Sequence, residues 1–253
     1  MASNQPKSCC TTGTLHEGTP TGKLIKLEGG FDAYLSTAPD ENPNKGIGIL
    51  FAPEAMGIYP NSQLLADSFA AKGYTTLIPD VFNGDAVPLN KFPTIDLMSW
   101  LTKGSNGNNP HTTEHVDPIL VAGIKALRQL GIHRIGGVGY CFGAKYVLRH
   151  FKSGIDVAFI AHPSFVEENE LAALSGPLSI AAAETDSIFT TAMRHKSEEI
   201  LIKTRQPFQI NLFSGVEHGF GIRGDPAVKV QKFAKEQAFS QAIAWFNEYL
   251  LKE

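Results

Sequence analysis

Long apolar runs, a disulfide framework and an excess of either charge are all missing from this 253-residue chain. No stretch approaches the roughly 18 consecutive apolar residues that suggest a membrane span. Residues 1–14 are small and polar with no apolar segment, so neither a signal peptide nor an anchor is expected. Three cysteines, Cys9, Cys10 and Cys141, are too few and odd in number for a stapled fold and fit a reducing compartment, so the expected location is cytoplasmic. A formal net charge of -3 leaves no basic surplus to neutralise phosphates, which argues against a general nucleic-acid binder. Internal repeats, heptads and low-complexity tracts are also lacking. The Cys9-Cys10 pair has no other cysteine or tight histidine cluster beside it in sequence, and no metal or redox role is expected for it.

A hydrophobic content of 43% suffices for one substantial core. The organisation expected is a polar N-terminal segment, residues 1–22, followed by a single domain over residues 23–253. Two short strands at 23–27 and 33–36, joined at Glu28-Gly29-Gly30, predict an N-terminal hairpin. Strands are then expected at 46–51, 75–78, 134–139, 157–161, 178–183 and 208–213. Helical patterns lie between them, at 61–72, 93–103, 113–130, 144–153, 168–174, within 187–204, and from Asp225 to the end. Two of these carry clear stripes: Val116, Ile119, Leu120, Gly123, Ile124, Leu127 and Leu130, and Phe239, Ala242, Ile243, Phe246 and Leu250. Strands alternating with helices at this rhythm predict an α/β fold, a mostly parallel central sheet with helices on both faces.

The organising feature is Gly139-Tyr140-Cys141-Phe142-Gly143, where an apolar strand runs into a helix. Gly-x-nucleophile-x-Gly is the pattern of a nucleophile elbow, here with cysteine in the usual place of serine. The tight turn strains the central residue, and the flanking positions must be glycine for the backbones to pack. A thiol attacks as thiolate, so it needs a base, and the base needs an orienting carboxylate. The required chain order of nucleophile, acid and histidine is met by Cys141, Asp186 and His218, each just past the end of a strand. Glu184 competes with Asp186, and His162, in Ala161-His162-Pro163, competes with His218; chain order favours His218. The bland reading of His162 is a pocket wall or a structural hydrogen bond. His133, His150 and His195 are expected at the surface.

With Asp186 and the His218-Gly219-Phe220 motif, and a glutamate ending the strand before the first long helix, these residues resemble the dienelactone hydrolase family (carboxymethylenebutenolidase-like), on the α/β-hydrolase fold, from about Gly46 to the C-terminus. The resemblance implies a hydrolase opening an ester or lactone through a thioester at Cys141. It assigns Glu54 to tuning the thiol and the backbone N–H groups of Phe142 and Ala55 to the oxyanion hole. No metal or organic cofactor is implied.

Bacterial members carry an arginine after the strand at 75–78 to grip the substrate carboxylate; Asp80-Val81-Phe82-Asn83-Gly84-Asp85 has none here. A second family arginine is matched by Arg223, one step further along than in the bacterial pattern. With Phe82, Asn83, Phe92, Met56, Tyr59 and His162 as candidate substrate contacts, a larger aromatic or polyketide-derived ester or lactone is expected. The partner is a small molecule, with no nucleic acid or membrane, and the protein a monomer or weak homodimer. Two rival readings keep the fold: an isomerase or cyclase in a biosynthetic pathway, and a non-catalytic binding protein.

Overall fold

A computed structural model describes residues 1–253 except Pro6, Asn42, Pro43, residues 92–94, Lys252 and Glu253. Phe92, and the start expected at Pro93 for the second helix, lie outside the described residues. Eight strands form one sheet in the order β1-β2-β4-β3-β5-β6-β7-β8. They are β1 Lys23–Lys26, β2 Asp32–Ser36, β3 Ile47–Ala52, β4 Thr75–Pro79, β5 Arg134–Tyr140, β6 Val157–Ala161, β7 Leu178–Thr185 and β8 Phe208–Glu217. The expected hairpin β1/β2 is antiparallel and joins the sheet antiparallel to β4; every later pairing is parallel.

Helices cover both faces: α1 Pro60–Ala71, α2 Leu97–Lys103, α3 Thr113–Gln129, α4 Gly143–Arg149, α5 Glu168–Ala172, α6 Thr191–Thr204, the single turn α7 Phe220–Arg223, and α8 Lys229–Tyr249. One buried cluster joins Val116, Leu120 and Leu127 of α3 with Val147 of α4 and Leu201 of α6; the other joins Leu65 and Phe69 of α1 with Trp245 and Phe246 of α8. Each such fully buried side chain contributes about 1.5–3 kcal/mol.

Glycines in β5 set how closely the layers approach. A Cβ on Gly136 would meet the Phe246 ring at 2.9 Å, and one on Gly137 would meet Val147 at 2.7 Å. The central strand is thus pressed by α8 from one side and α4 from the other, and it delivers its last residue to a fixed point at the carboxyl edge.

Several local expectations shift. Thr112, not Thr113, is the N-cap of α3, and its hydroxyl is bonded to His115 Nδ1 (2.9 Å) instead of a backbone N–H. The final helix starts at Lys229, because Asp225 turns the chain by accepting from the Ala227 N–H. Ser68 and Leu130, placed on apolar faces by spacing, are exposed, being at the helix edge and end. His150 is buried rather than at the surface, with Nε2 3.1 Å from Asp117 Oδ1. Among the described residues, no helix is long and apolar enough to cross a membrane.

The N-terminal segment packs along the carboxyl ends of the strands. Ala2 and Ser3 donate to Val166 O after β6, and Asn4 donates to Ile188 O after β7. Asn90 N donates to Thr11 O, and Thr14 N donates to Arg223 O. The segment therefore ties together the loops that follow four different strands.

Candidate active site

Cys141 is the first of the two residues between β5 and α4, and its φ of 49° is the left-handed strain the elbow pattern predicts. The glycines beside it answer to close backbone approach. A Cβ on Gly139 would sit 2.7 Å from Ala144 Cα, and one on Gly143 would collide with Ala52 O at the end of β3. That second contact puts the elbow against the segment containing Glu54 and Ala55. Phe142 is the N-cap residue of α4.

His218 and Asp186 come from the ends of adjacent strands. Between Ala183 and Thr185 the β7/β8 register slips, so that Ala183 faces Phe213 while Thr185 faces Glu217. The extra residues in β8 bend it just before the histidine. His218 Nδ1 lies 2.9 Å from Asp186 Oδ2, and Asp186 Oδ1 accepts from the Ile188 and Phe189 N–H groups at 2.8 and 3.0 Å. Glu184, its sequence competitor, is exposed and accepts from Gly215 N.

The Cys141 sulfur and a His218 ring nitrogen lie within 4.8 Å. The Cys141 sulfur also lies 3.4 Å from the buried Ser164 hydroxyl, and Ser164 N donates to Cys141 O. Sequence reasoning missed Ser164, which lies in the Pro163-Ser164-Phe165 turn with no motif to mark it.

Cys10 was also missed. Its sulfur lies 3.6 Å from His218 Nε2, and the Cys10, Cys141 and His218 ligand atoms are all within 4.8 Å of one another. All three are buried. Two sulfurs and an imidazole are donors that suit a thiophilic cation. The missing signal is plain: Cys10 arrives from a polar segment whose position depends on contacts made far along the chain.

Burial alone would raise the Cys141 thiol, but the Cys10 hydrogen bond, the charge and hydrogen bond of His218 and the Arg223 charge outweigh it, leaving it well below the usual thiol range. His218 is pushed the other way, to about 10: burial disfavours its cation, and the charges of Cys141 and Asp186 more than compensate. The pair is therefore a thiolate facing an imidazolium. Cys10 stays a thiol, raised first by burial and then by Cys141.

Glu54 and Arg223 meet, fully buried, with Arg223 Nε donating to Glu54 Oε2 at 2.7 Å; the Tyr59 hydroxyl donates to Glu54 Oε1. Burial, with the Cys141 thiolate adding to it, raises Glu54 to about 7 against the pull of Arg223. Arg223 reaches the site because Gly219, at φ 96°, starts the α7 turn that folds its guanidinium back over the Gly219 backbone.

The remaining candidates sit apart from this cluster or beneath it. Phe82 is completely buried, packing against Phe142 (5.0 Å between ring centroids) and Trp100. Asn83 is exposed in the turn after β4. His162 is buried beside His218 (centroids 4.9 Å), and neither of its ring nitrogens has a hydrogen-bond partner among the described residues. The structural hydrogen bond considered for its ring is thus not formed, and burial holds it neutral. A cleft of about 430 Å3 opens beside His218, lined by Cys9, Thr12, Glu217, Arg223 and Gln231 among others, and Phe82, Asn83, Tyr59 and His162 do not line it.

The profile of the dienelactone hydrolase family matches residues 31–250. Hydrolase pyvD of Aspergillus violaceofuscus is 46% identical over 255 residues, covering 100% of both chains. Dienlactone hydrolase 1 of Gibberella moniliformis is 37% identical, covering 97% of this chain and 94% of its own. A crystal structure of dienelactone hydrolase from Anabaena variabilis superposes with a TM-score of 0.64 at 13% identity, covering 92% of this chain and 99% of that one, a likeness of fold. The chain belongs to the dienelactone hydrolase family, on the α/β-hydrolase fold.

Proposed function

We propose that this chain hydrolyses a small-molecule ester or lactone through a thioester at Cys141. The observation that carries the reading is the Cys141 sulfur, strained at the elbow, within 4.8 Å of a histidine whose far nitrogen is 2.9 Å from a buried aspartate.

The thiolate attacks the substrate carbonyl carbon, and the Phe142 and Ala55 N–H groups hold the resulting oxyanion. Collapse breaks the bond to the ring or leaving oxygen, which takes the proton from the His218 imidazolium. The now neutral His218 removes a proton from water, the hydroxide attacks the thioester, and the carboxylate leaves as the thiolate is restored. Asp186 keeps the imidazole in register throughout. Glu54 tunes the thiol, and Arg223 is the candidate grip for a substrate carboxylate. That carboxylate would compete with Glu54 for the guanidinium. Phe82 acts from below, as packing under Phe142 rather than as a substrate contact. Because Cys10 covers the sulfur, residues 8–12 move aside for substrate to enter. Three free cysteines suit a reducing compartment such as the cytoplasm.

The test compares wild type with Cys141→Ala on activated aryl esters and enol lactones in 18O-labelled water. A loss of turnover in the variant and one solvent oxygen in the product carboxylate are expected. Undiminished turnover removes Cys141 from the mechanism, and product without label favours isomerisation.

A further inference from the structure

The N-terminal segment carries a second thiol onto the site. Cys10 and Cys141 belong to one buried cluster with Ile188, and their sulfurs lie within 4.8 Å. A disulfide needs sulfurs about 2.05 Å apart, so closing the gap takes side-chain rotation and a small shift of one backbone. The segment around Cys10 can supply that shift. It is a three-residue 3-10 turn, Ser8–Cys10, held by hydrogen bonds from Arg223 Nη1 to the Cys9 and Thr12 carbonyls rather than by a packed helix. Cys141 by contrast sits between β5 and α4, flanked by Gly139 and Gly143 at positions where backbones are already in contact.

The two thiols differ in character. Cys141 is held as thiolate and attacks electrophiles, whereas Cys10 keeps its proton. The cleft beside His218 is lined by Cys9 and Arg223 but by neither Cys10 nor Cys141, so peroxide reaches the Cys141 sulfur as substrate does, when residues 8–12 move aside.

We propose that Cys10 is a resolving thiol for Cys141, so that a peroxide converts the pair to a Cys10–Cys141 disulfide that closes the N-terminal segment over the site. This rests on Cys141 being the reactive thiolate of the mechanism above. In the first step the Cys141 sulfur bonds to one oxygen of hydrogen peroxide. The O–O bond breaks, and the second oxygen leaves as water with the proton of the His218 imidazolium. Cys141 is then a sulfenic acid. In the second step the Cys10 sulfur attacks the Cys141 sulfur, the S–O bond breaks, and the hydroxyl departs as water, taking the Cys10 proton by way of His218. The sum is two thiolate-level sulfurs oxidised to a disulfide and one peroxide reduced to two waters. Cys141 is thereby kept from the irreversible sulfinic state, and a thiol reductant restores it.

The experiment treats the full chain with hydrogen peroxide, alkylates the remaining thiols and maps the peptides by mass, with aryl-esterase activity followed in parallel. In wild type and in Cys9→Ser the expected product is a linked peptide joining residues 10 and 141, with activity lost and regained on adding dithiothreitol. In Cys10→Ser and Cys10→Ala no such link forms, Cys141 gains two oxygens, and dithiothreitol restores nothing. A linked peptide through Cys9, or a sulfinic Cys141 in wild type under the same treatment, overturns the inference. The peptide map does not depend on catalysis, so it separates this outcome from failure of the mechanism. Loss of activity in Cys141→Ala without any disulfide in wild type counts against the resolving role alone. A disulfide alongside full turnover in Cys141→Ala counts against the mechanism.

Discussion

Arg223 Nε donates to Glu54 Oε2 at 2.7 Å across 169 residues of sequence, and both side chains are almost wholly inaccessible. The same guanidinium donates through Nη1 to the Cys9 and Thr12 carbonyls. One buried cation thus links the loop after β3, the turn after β8 and the N-terminal segment that covers Cys141. A buried ion pair gains little over an apolar pair of equal volume, but removing one member is costly.

Arg223→Met is therefore expected to lower stability by about 3–5 kcal/mol near pH 8, where Glu54, its carboxyl raised further once Arg223 is gone, must either stay charged without its cation or take up a proton. Near pH 5, below its raised value of about 7, Glu54 holds a proton and the loss is smaller. Urea unfolding at the two pH values measures this, and equal losses would place the cost in packing rather than charge.

Glu54 alone makes a second prediction. Its carboxyl is raised in the folded protein from 4.5 to about 7, so the folded state binds the proton more tightly than the unfolded one. The stability this contributes is full below the unfolded value and is lost as pH rises through about 7. Wild type should lose stability relative to Glu54→Gln across that window and run parallel to it above. Melting temperatures of both proteins in steps from pH 4 to 8 give the comparison, and parallel curves throughout would refute it.

Asp186→Asn keeps an oxygen for the Ile188 and Phe189 N–H groups but removes the charge facing His218 Nδ1. An amide donating to Nδ1 holds the proton on the wrong nitrogen. A fall in kcat of roughly a hundredfold or more is expected, within the range of general acid–base assistance. His218 owes part of its rise to about 10 to that carboxylate, so the alkaline limit of kcat/KM should move to lower pH in the variant. A pH–rate profile that keeps the wild-type alkaline limit would exclude Asp186 from the base.

Features set by short-range periodicity were legible in the sequence. The β6 bounds agree residue for residue, and the elbow's glycines stand where backbone contact requires them. The encounter of Asp186 with His218 followed from chain order, although the register slip that aims the histidine carries no local signature. Cys10 and Ser164 were illegible for a different reason. Cys10 is delivered by hydrogen bonds to Val166, Ile188 and Arg223, partners 163 to 214 positions from the residues that contact them, and no window of sequence contains both ends. Phe82 looked like a substrate contact because it follows β4 toward the site edge; packing against Trp100 and Phe142 turned it inward.

The elbow itself offers the sharpest separation of stability from activity. A Cβ at position 139 would meet Ala144 Cα at 2.7 Å and Gly143 O at 2.8 Å, backbone atoms that yield only if α4 and the turn at Cys141 move. At Gly30, in the turn of the β1/β2 hairpin, an added Cβ meets nothing within 4 Å, and only its φ of 83° resists substitution. Gly139→Ala is expected to cost about 1–3 kcal/mol, as overpacking does, and Gly30→Ala about 1 kcal/mol for the left-handed backbone. Their effects on turnover should differ far more. A displaced sulfur loses its alignment with His218 and the oxyanion donors, and small misplacements of reacting groups cost about a hundredfold. Denaturant unfolding and kcat on an aryl ester, measured for both variants, test the claim; equal kcat in the two would mean that the elbow's geometry does not set the reaction rate.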